Sequence, residues 1–350
     1  MKYIGFVGMV ALSLATSLIA SSSPSQPTAS PSPSQSQSFV NGELVYAKDA
    51  QGNWKPAQIR GRGGGQYGVV WKGSNTSERI KQTDNRIISL KEAAEQKYWK
   101  LPEVNLTVGA PSRQDKVMGV ACGSFSETVP YDDGSKEEEY IFECVTTYAP
   151  EFTTDANAST TDKGTSIQWK DTDPLVKATI EETNRVRQNP VAYASELESK
   201  IFDYAKPKGN GGVLPSPDWE VLDDVVEAIA YLKKAKPGQV LQYSQGMSLA
   251  NRDLIAFHQS EKKNTTHDGP NGNKPWDRVK PYGKLTGAIA ENLGYAQLGD
   301  NTKPPTIPTD DNQSKVWAKE IIMGLIVDTG QKPQRGHRVA IFDSQSNALK

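Results

Sequence analysis

The sequence has few of the residues that build metal clusters and disulfide frameworks, with two cysteines and three histidines in 350 residues. Two cysteines alone cannot form a tetrahedral zinc site, and no histidine lies near them in the sequence. Neither a Gly-x-Ser-x-Gly nor a His-Glu-x-x-His motif is present, so two familiar hydrolase signatures are excluded. The net charge of -1 excludes a globally basic nucleic-acid binder, and we expect no nucleic-acid partner.

Long apolar runs are also missing, except at the N-terminus, where Lys2 precedes a mostly apolar stretch over residues 3–20. This layout, followed by serine and proline, predicts a signal peptide over residues 1–20. The alternative is a transmembrane anchor, since the stretch approaches the length of a bilayer span. Serine and threonine dilute its apolar character, so we expect cleavage, a secreted or periplasmic protein and no stable membrane span.

Two further stretches are too polar to bury a core. Residues 21–39 consist almost wholly of serine, proline, glutamine, threonine and alanine, which predicts a flexible linker. Residues 151–170 are rich in threonine, aspartate and alanine, and predict a second linker. The chain is long enough for two domains separated by these linkers, each with its own core.

Cys122 and Cys144 lie in two strand-like runs on either side of a turn-forming segment, residues 131–135. In an exported chain these cysteines can form one disulfide, and the alternative is two buried free thiols. The pattern predicts a β-rich extension over residues 92–150, in which the disulfide closes a hairpin.

The segment over residues 40–91 predicts a small β-barrel. Strand-sized runs rich in aromatic and β-branched residues occur at residues 44–47, 54–59, 67–71 and 86–90. The sequence around Trp54 resembles the Tudor or Agenet branch of SH3-like barrels, which bind methylated side chains in aromatic cages. Lys55 occupies the position of a cage tyrosine and would repel a cation, so we expect no cage. The aromatic residues to be weighed as barrel core or ligand contacts are Tyr46, Trp54, Tyr67 and Trp71.

The C-terminal part has helical periodicity. Asp173-Pro174 is a helix cap followed by proline, and residues 222–232, 247–263 and 316–327 have apolar side chains at helical spacing. Short strands are predicted at residues 291–296 and 337–342. The expected class of the whole chain is therefore α+β.

Three motifs follow one another in this part, namely His267-Asp268-Gly269-Pro270-Asn271-Gly272, Ala290-Glu291-Asn292-Leu293 and Arg335-Gly336-His337-Arg338. In this order they resemble the CAP superfamily of cysteine-rich secretory, antigen 5 and pathogenesis-related 1 proteins. The resemblance covers residues 171–350 and implies an α-β-α sandwich. The family's sheet needs further strands after the last motif, so the resemblance also implies either a domain truncated at its C-terminal strands or an uncovered sheet edge.

In the CAP family two histidines and two acidic side chains meet in a groove, which implies His267, Glu291 and His337 here. The fourth member is Asp328 or Glu320, and we prefer Asp328 because it ends the helix before the histidine loop. Two imidazoles with carboxylates suit Zn²⁺ or another divalent cation. The third histidine, His258, lies within a helix with no acidic neighbour in register, so we expect it to be structural.

These patterns lead to one main hypothesis and two alternatives. The main hypothesis is a secreted protein whose CAP domain binds a divalent metal or small ligand, with an SH3-like module that binds a peptide, lipid or wall polymer. The first alternative is a metal-dependent extracellular hydrolase, since a two-histidine site with open positions can activate water. Its weakness is that no separate general base is present. The second alternative is a non-catalytic structural or adhesive protein.

Overall fold

A computed structural model describes residues 38–111, 113–130, 136–156, 173–206, 218–261, 266–297, 307–329, 334–343 and 346–348. The predicted signal peptide, nearly all of the first linker and most of the second linker lie outside these residues. Within the described ranges, none of the helices has both the length and the apolar character needed to cross a membrane.

The described chain is of the α+β class, and its sheets are mainly antiparallel. The strands are β1 (Leu44–Lys48), β2 (Trp54–Gly63), β3 (Gln66–Trp71), β4 (Ser77–Lys81), β5 (Ile87–Ser89), β6 (Leu106–Val108), β7 (Val117–Pro130), β8 (Lys136–Ala149), β9 (Glu151–Thr154), β10 (Gln242–Tyr243), β11 (Gly283–Thr286), β12 (Ala290–Gln297) and β13 (Ser346–Ala348). The helices are α1 (Leu90–Glu95), α2 (Pro174–Gln188), α3 (Pro190–Ser199), α4 (Trp219–Lys234), α5 (Gln245–Glu261), α6 (Pro275–Arg278), α7 (Asp311–Val327) and α8 (Gly336–Phe342). Short 3₁₀ helices occur at Ile201–Ala205, Pro270–Gly272 and Lys280–Tyr282.

The chain divides into two compact units. The described residues of 13–102 and 199–223 form the N-terminal unit, and those of 103–198 and 224–350 form the C-terminal unit. The sequence analysis placed residues 92–150 in an extension of their own. In the structure, the described residues from 103 to 156 belong to the same compact unit as the C-terminal helices.

The N-terminal unit contains a five-stranded antiparallel sheet in the order β4-β3-β2-β1-β5. Val45, Ile59, Val69 and Ile80 belong to its buried core, and they lie on one face because alternate side chains of a strand point the same way. The β2–β3 hairpin turns at Gly64 and Gly65, both with positive φ, as the tightest hairpin turns require.

The prediction of a closed barrel for this unit is not met, because no pairing joins β4 to β5 in the part that the structure describes. The strand β5 has only three residues, since the side chain of Ser89 caps α1 immediately after it. The predicted strands at β1, β2, β3 and β5 are confirmed. The strand β4 was not predicted, because Ile80 is its only buried side chain.

The C-terminal unit is built around a four-stranded sheet in the order β10-β7-β8-β12. The long strands β7 and β8 form an antiparallel hairpin, and β8 also pairs with β12 along the whole length of β12. This hairpin is therefore the centre of the C-terminal sheet. The predicted disulfide joins Cys122 to Cys144, which lie directly opposite each other in the hairpin register.

Helices cover both faces of this sheet. On one face Val145 of β8 packs against Leu254 of α5. On the other face Phe142 contacts Trp317 of α7 edge-on, with ring centroids 4.7 Å apart, and α2 packs beside α7. The helix α5 approaches β7 so closely that a Cβ atom on Gly119 would meet the side chain and backbone of Met247.

Several predicted elements of this unit are confirmed, and two are wrong. Asp173 caps α2 with proline at the first helical position, and α4, α5, α7 and β12 form where the pattern predicts them. The predicted second linker is wrong at its start, because Glu151–Thr154 forms β9 and pairs with β11. The predicted strand at residues 337–342 is the helix α8. Its apolar run is compatible with both a strand and a helix. The helix is favoured because the carboxylate of Asp328 accepts hydrogen bonds from the N–H groups of the first turn.

Candidate functional site

The first half of the site lies between the end of α7 and the start of α8. Asp328 ends α7 with a left-handed backbone at φ 55°, a conformation that aspartate tolerates better than most residues. Its Oδ1 lies 2.7 Å from His337 Nδ1, and its Oδ2 accepts a 3.1 Å hydrogen bond from the backbone N–H of His337. One carboxylate therefore fixes both the ring and the backbone of His337.

The second half of the site lies on β12 and the loop before α6. The Oε1 of Glu291 is 3.0 Å from His267 Nδ1, and its Oε2 accepts a hydrogen bond from Arg278. Arg278 also donates to the backbone carbonyl of His267 over 2.7 Å. The carboxylate of Glu291 is 2 % exposed, and such a buried charge is tolerated only because both of its oxygens are paired.

The two halves open into one cavity. The cavity has a volume of about 250 Å³ and is lined by Arg113, His267, Ala290, Glu291, Gly336, His337, Val339 and Ala340. Because each Nδ1 is engaged by a carboxylate, the Nε2 atom is the ring nitrogen that each imidazole has left for a ligand. Neither Nε2 has a partner among the described residues.

The neighbouring positions Glu291 and Asn292 serve different histidines. Successive side chains of a strand point to opposite faces, so the two residues diverge from β12. Glu291 contacts His267, whereas Asn292 donates a 3.0 Å hydrogen bond to the carbonyl of His337. The Glu-Asn pair thereby connects the two halves of the site through one strand.

A buried ion network supports the segment between Asp328 and His337. The Arg335 side chain is 1 % exposed, donates to Asp224 and Glu227 on α4, and also donates to the carbonyl of Asp328. Arg338 is fully buried and donates to Glu227 over 3.1 Å. Two arginines and two carboxylates of α4 thus hold the histidine loop.

The network also shifts the ionisation of its members. Burial raises the pKa of Glu227, but the hydrogen bonds and charges of Arg335 and Arg338 outweigh it and hold that pKa below its ordinary value. Burial lowers the pKa of Arg338 despite the nearby charge of Glu227. Glu227 is therefore a carboxylate over the neutral pH range.

Arg113 brings a positive charge to the cavity wall, but that charge is balanced. Its guanidinium donates to Asp115 over 2.8 Å and lies 3.3 Å from a carboxylate oxygen of Asp343. Burial raises the pKa of Asp115, while Arg113 opposes that rise. The arginine is consequently held at the wall by buried acids.

The structure assigns different roles to the remaining candidate residues. His258 is buried, as expected for a structural residue, and its Nδ1 lies 2.9 Å from Glu143 Oε2. That acidic partner comes from β8, so helical register alone could not reveal it. Glu320 does not line the cavity, whereas Asp328 contacts His337 directly.

The predicted four-residue metal set is arranged as two pairs. Across the part of the chain that the structure describes, no group of three or more His, Cys, Asp or Glu side chains could hold a metal ion. Asp328 and Glu291 bind the Nδ1 atoms and so orient the imidazoles, as carboxylates commonly do behind metal-binding histidines. The donors that fit a divalent cation are His267 Nε2 and His337 Nε2, because neutral imidazole is a good zinc ligand.

Each of the aromatic residues singled out in the N-terminal unit packs against a neighbour of the same unit. Tyr46 contacts Trp219, Trp54 contacts Tyr98, Tyr67 contacts Phe39, and Trp71 packs against the sheet core. Lys48 also lies over the ring of Trp54, 4.9 Å from its centroid.

Sequence reasoning missed the arginines of the site. Arg335 and Arg338 belong to the motif around His337, and a basic pair beside a site histidine was the available signal. Arg278 and Arg113 lie in segments without any recognisable motif. Comparisons with protein families, with curated proteins and with solved structures gave no match for this chain. The interpretation of the site therefore depends on its geometry.

Proposed function

We propose that this chain is an exported protein of the CAP type, and that its cavity binds a divalent cation such as Zn²⁺ through the Nε2 atoms of His267 and His337. The observation that carries this proposal is the matched pair of carboxylate–imidazole contacts. Each contact fixes a ring by its Nδ1 and leaves Nε2 for the shared cavity.

The architecture of the C-terminal unit supports the CAP assignment. Helices lie on both faces of a four-stranded sheet, as the resemblance implies for an α-β-α sandwich. The resemblance also implies strands after His337, and here β7 and β8 supply long strands from a position before the helices. The order of strands along the chain thus differs from the expected one, whereas the layers agree with it.

The donor set limits the affinity that we expect. Catalytic zinc sites have three protein ligands, and structural sites have four. Two imidazoles leave at least two positions for water or an incoming ligand, so binding is expected to be reversible. A cation held in this way would add positive charge to a cavity in which Arg113 is already balanced by Asp115 and Asp343, and the added charge favours anionic small ligands.

The N-terminal unit has a separate role in this proposal. The strand order β4-β3-β2-β1-β5 supports an SH3-like topology, although the sheet is open. We propose that it binds an extracellular partner, such as a wall polymer, by a surface other than an aromatic cage.

The test is titration of zinc into the full chain by calorimetry, with His267→Ala, His337→Ala and the double variant compared with wild type. We expect about one equivalent in wild type and at least about a tenfold loss of affinity, or 1.4 kcal/mol, in each single variant. His258 is retained throughout as an internal control, because it is the only other histidine and is buried against Glu143.

Zinc binding that persists in the folded double variant would contradict the proposal, as would a folded wild type that binds none. Far-UV circular dichroism checks folding in every case. The hydrolase alternative makes an additional demand, because turnover of a peptide or ester must disappear in the same histidine variants.

A further inference from the structure

At one end of the sheet in the N-terminal unit, the outer face combines three glycines with exposed basic side chains. In the pairing register Gly63 and Gln66 lie beside Lys81, and Gly61 and Gly68 lie beside Arg79. These positions form the face opposite the core, because the alternate positions, such as Tyr67 and Ile80, are buried. We name this surface the basic glycine face, and it consists of Arg60, Gly61, Gly63, Gln66, Gly68, Arg79 and Lys81.

The glycines leave the backbone of this face open to an approaching molecule. A Cβ atom added at Gly61 or Gly63 would meet nothing within 4 Å. Neither residue has the positive φ that would itself require glycine. Gly61 lies at a bulge of β2, and glycine within a strand marks either such a bulge or a place where a ligand or another backbone comes close.

Cations border the open surface. Arg60, Arg79 and Lys81 are exposed, and none has an ion-pair partner among the described residues. The acidic neighbour Glu78 points to the other face and pairs with Arg86. Arg79 and Lys81 are two residues apart on one strand, so their side chains rise about 7 Å apart along it. Such a row suits a ligand with repeated negative charges.

The chemistry of the face favours phosphate groups on a chain without bases. Arginine and lysine are the usual partners of phosphate oxygens. Proteins that hold single-stranded nucleic acid add aromatic side chains on which the bases stack. The basic glycine face has no aromatic member, since Tyr67 is buried on the other side of the sheet.

We propose that the basic glycine face binds the backbone of a base-free phosphodiester polymer, of the polyol phosphate type. The inference specifies the partner of the N-terminal unit in the proposed function, and it does not depend on the metal site. Charged side chains on an edge strand such as β4 can also serve to prevent strand pairing. The glycine positions allow the two roles to be separated.

The experiment measures binding of the full chain to fluorescently labelled poly(glycerol phosphate) by anisotropy. Three neutralised phosphates are expected to give a slope of about -2 in the logarithm of affinity against the logarithm of salt concentration. The variant Arg60→Gln/Arg79→Gln/Lys81→Gln should lose at least about tenfold in affinity at low salt. Lys91→Gln/Lys97→Gln/Lys100→Gln is the charge-matched control on exposed positions of the same unit, and it should bind like wild type.

A second variant keeps every charge and fills the face. Gly61→Val/Gly63→Val places two β-branched side chains in open space on a strand, so the fold should be retained. This variant should also lose at least about tenfold in affinity for the polymer. If the charges served only to prevent strand pairing at the edge of the sheet, no loss of affinity would be expected. Far-UV circular dichroism and urea denaturation verify that the variant remains folded.

The remaining outcomes each overturn the proposal. If the triple variant of the basic glycine face and the control triple variant lost affinity equally, the polymer would be held by general charge attraction only. Unchanged binding in the valine variant would exclude close approach to the glycines. Tighter binding of a twelve-residue oligothymidylate would identify a nucleic-acid surface, and binding to phosphatidylglycerol vesicles alone would identify a membrane surface. His267→Ala/His337→Ala should bind the polymer normally, so failure of the metal site is distinguishable from failure of this inference.

Discussion

Asp328 and His337 are joined by two contacts in the candidate site, with Oδ1 and Nδ1 2.7 Å apart and the backbone N–H of His337 donating to the second carboxylate oxygen. The backbone of Asp328 thus ends one helix, while its carboxylate caps the next helix and orients an imidazole. Its removal should therefore affect both ligand binding and stability.

Asp328→Asn tests this dual role. Asparagine tolerates the left-handed backbone but carries no charge, so the helix end should persist. Zinc affinity should fall by about 10- to 100-fold, as it does when the carboxylate behind a metal-binding histidine is lost. Calorimetry measures the affinity. Glu320→Gln is the matched control on the same helix, and equal losses in the two variants would contradict the role given to Asp328.

Glu227→Gln tests the ion network behind the histidine loop. Removing one partner leaves two buried arginines undercompensated, so the free energy of unfolding should fall by about 3 kcal/mol at pH 7. Urea denaturation measures it.

The network also predicts a pH dependence. The pKa of Glu227 is lower in the folded protein than its ordinary value of 4.5, so its contribution is complete above pH 4.5 and is lost as the pH falls through the folded value. The difference in stability between wild type and Glu227→Gln should therefore shrink on acidification. A difference that stays constant down to pH 2 would show that the charge of Glu227 is not responsible.

Cys122→Ala/Cys144→Ala tests the disulfide of the β7–β8 hairpin. Constraint of the unfolded chain by such a bond is worth about 2–4 kcal/mol, so urea denaturation should show a loss of that size. Addition of a reductant should destabilise the wild type and leave the double variant unchanged. A reductant effect on both proteins would point to another cause.

Gly119→Ala tests the close approach of α5 to β7. The new Cβ would lie 2.5 Å from Met247 Cβ, and the helix must move away, which should cost about 1–3 kcal/mol in the free energy of unfolding. Gly336→Ala is the control in the same unit, because its Cβ would meet nothing within 4 Å and alanine favours a helix. Thermal or urea unfolding of the two variants should differ in this direction, and similar stabilities would contradict the tight packing.

Local patterns were sufficient for the elements whose core faces have a clear period. The apolar spacing of α4 and the cap of α2 at Asp173 are properties of a few neighbouring residues, and both were predictable. The run at residues 339–342 is apolar throughout and has no period of its own. The helix is favoured by Asp328, which lies outside this run and accepts a hydrogen bond from the backbone N–H of Arg338 in the first turn.

Partners from distant elements could not be predicted. The pairing of β8 with β12 and the contact of Glu143 with His258 both join segments far apart in the chain, and neither leaves a periodic signal. The site was accessible in part, because His267, Glu291 and His337 lie in motifs. Arg278, which holds Glu291, lies in no motif and was missed.

The position of the β7–β8 hairpin has a consequence for how the protein is made. The hairpin is synthesised early, whereas the strand that pairs with β8, at Val145 and Leu293, arrives only after α5. Closure of the sheet must wait for most of the chain, and such non-local pairing is slow. During this interval β8 presents a partly unpaired edge, and the Cys122–Cys144 bond can already fix its register.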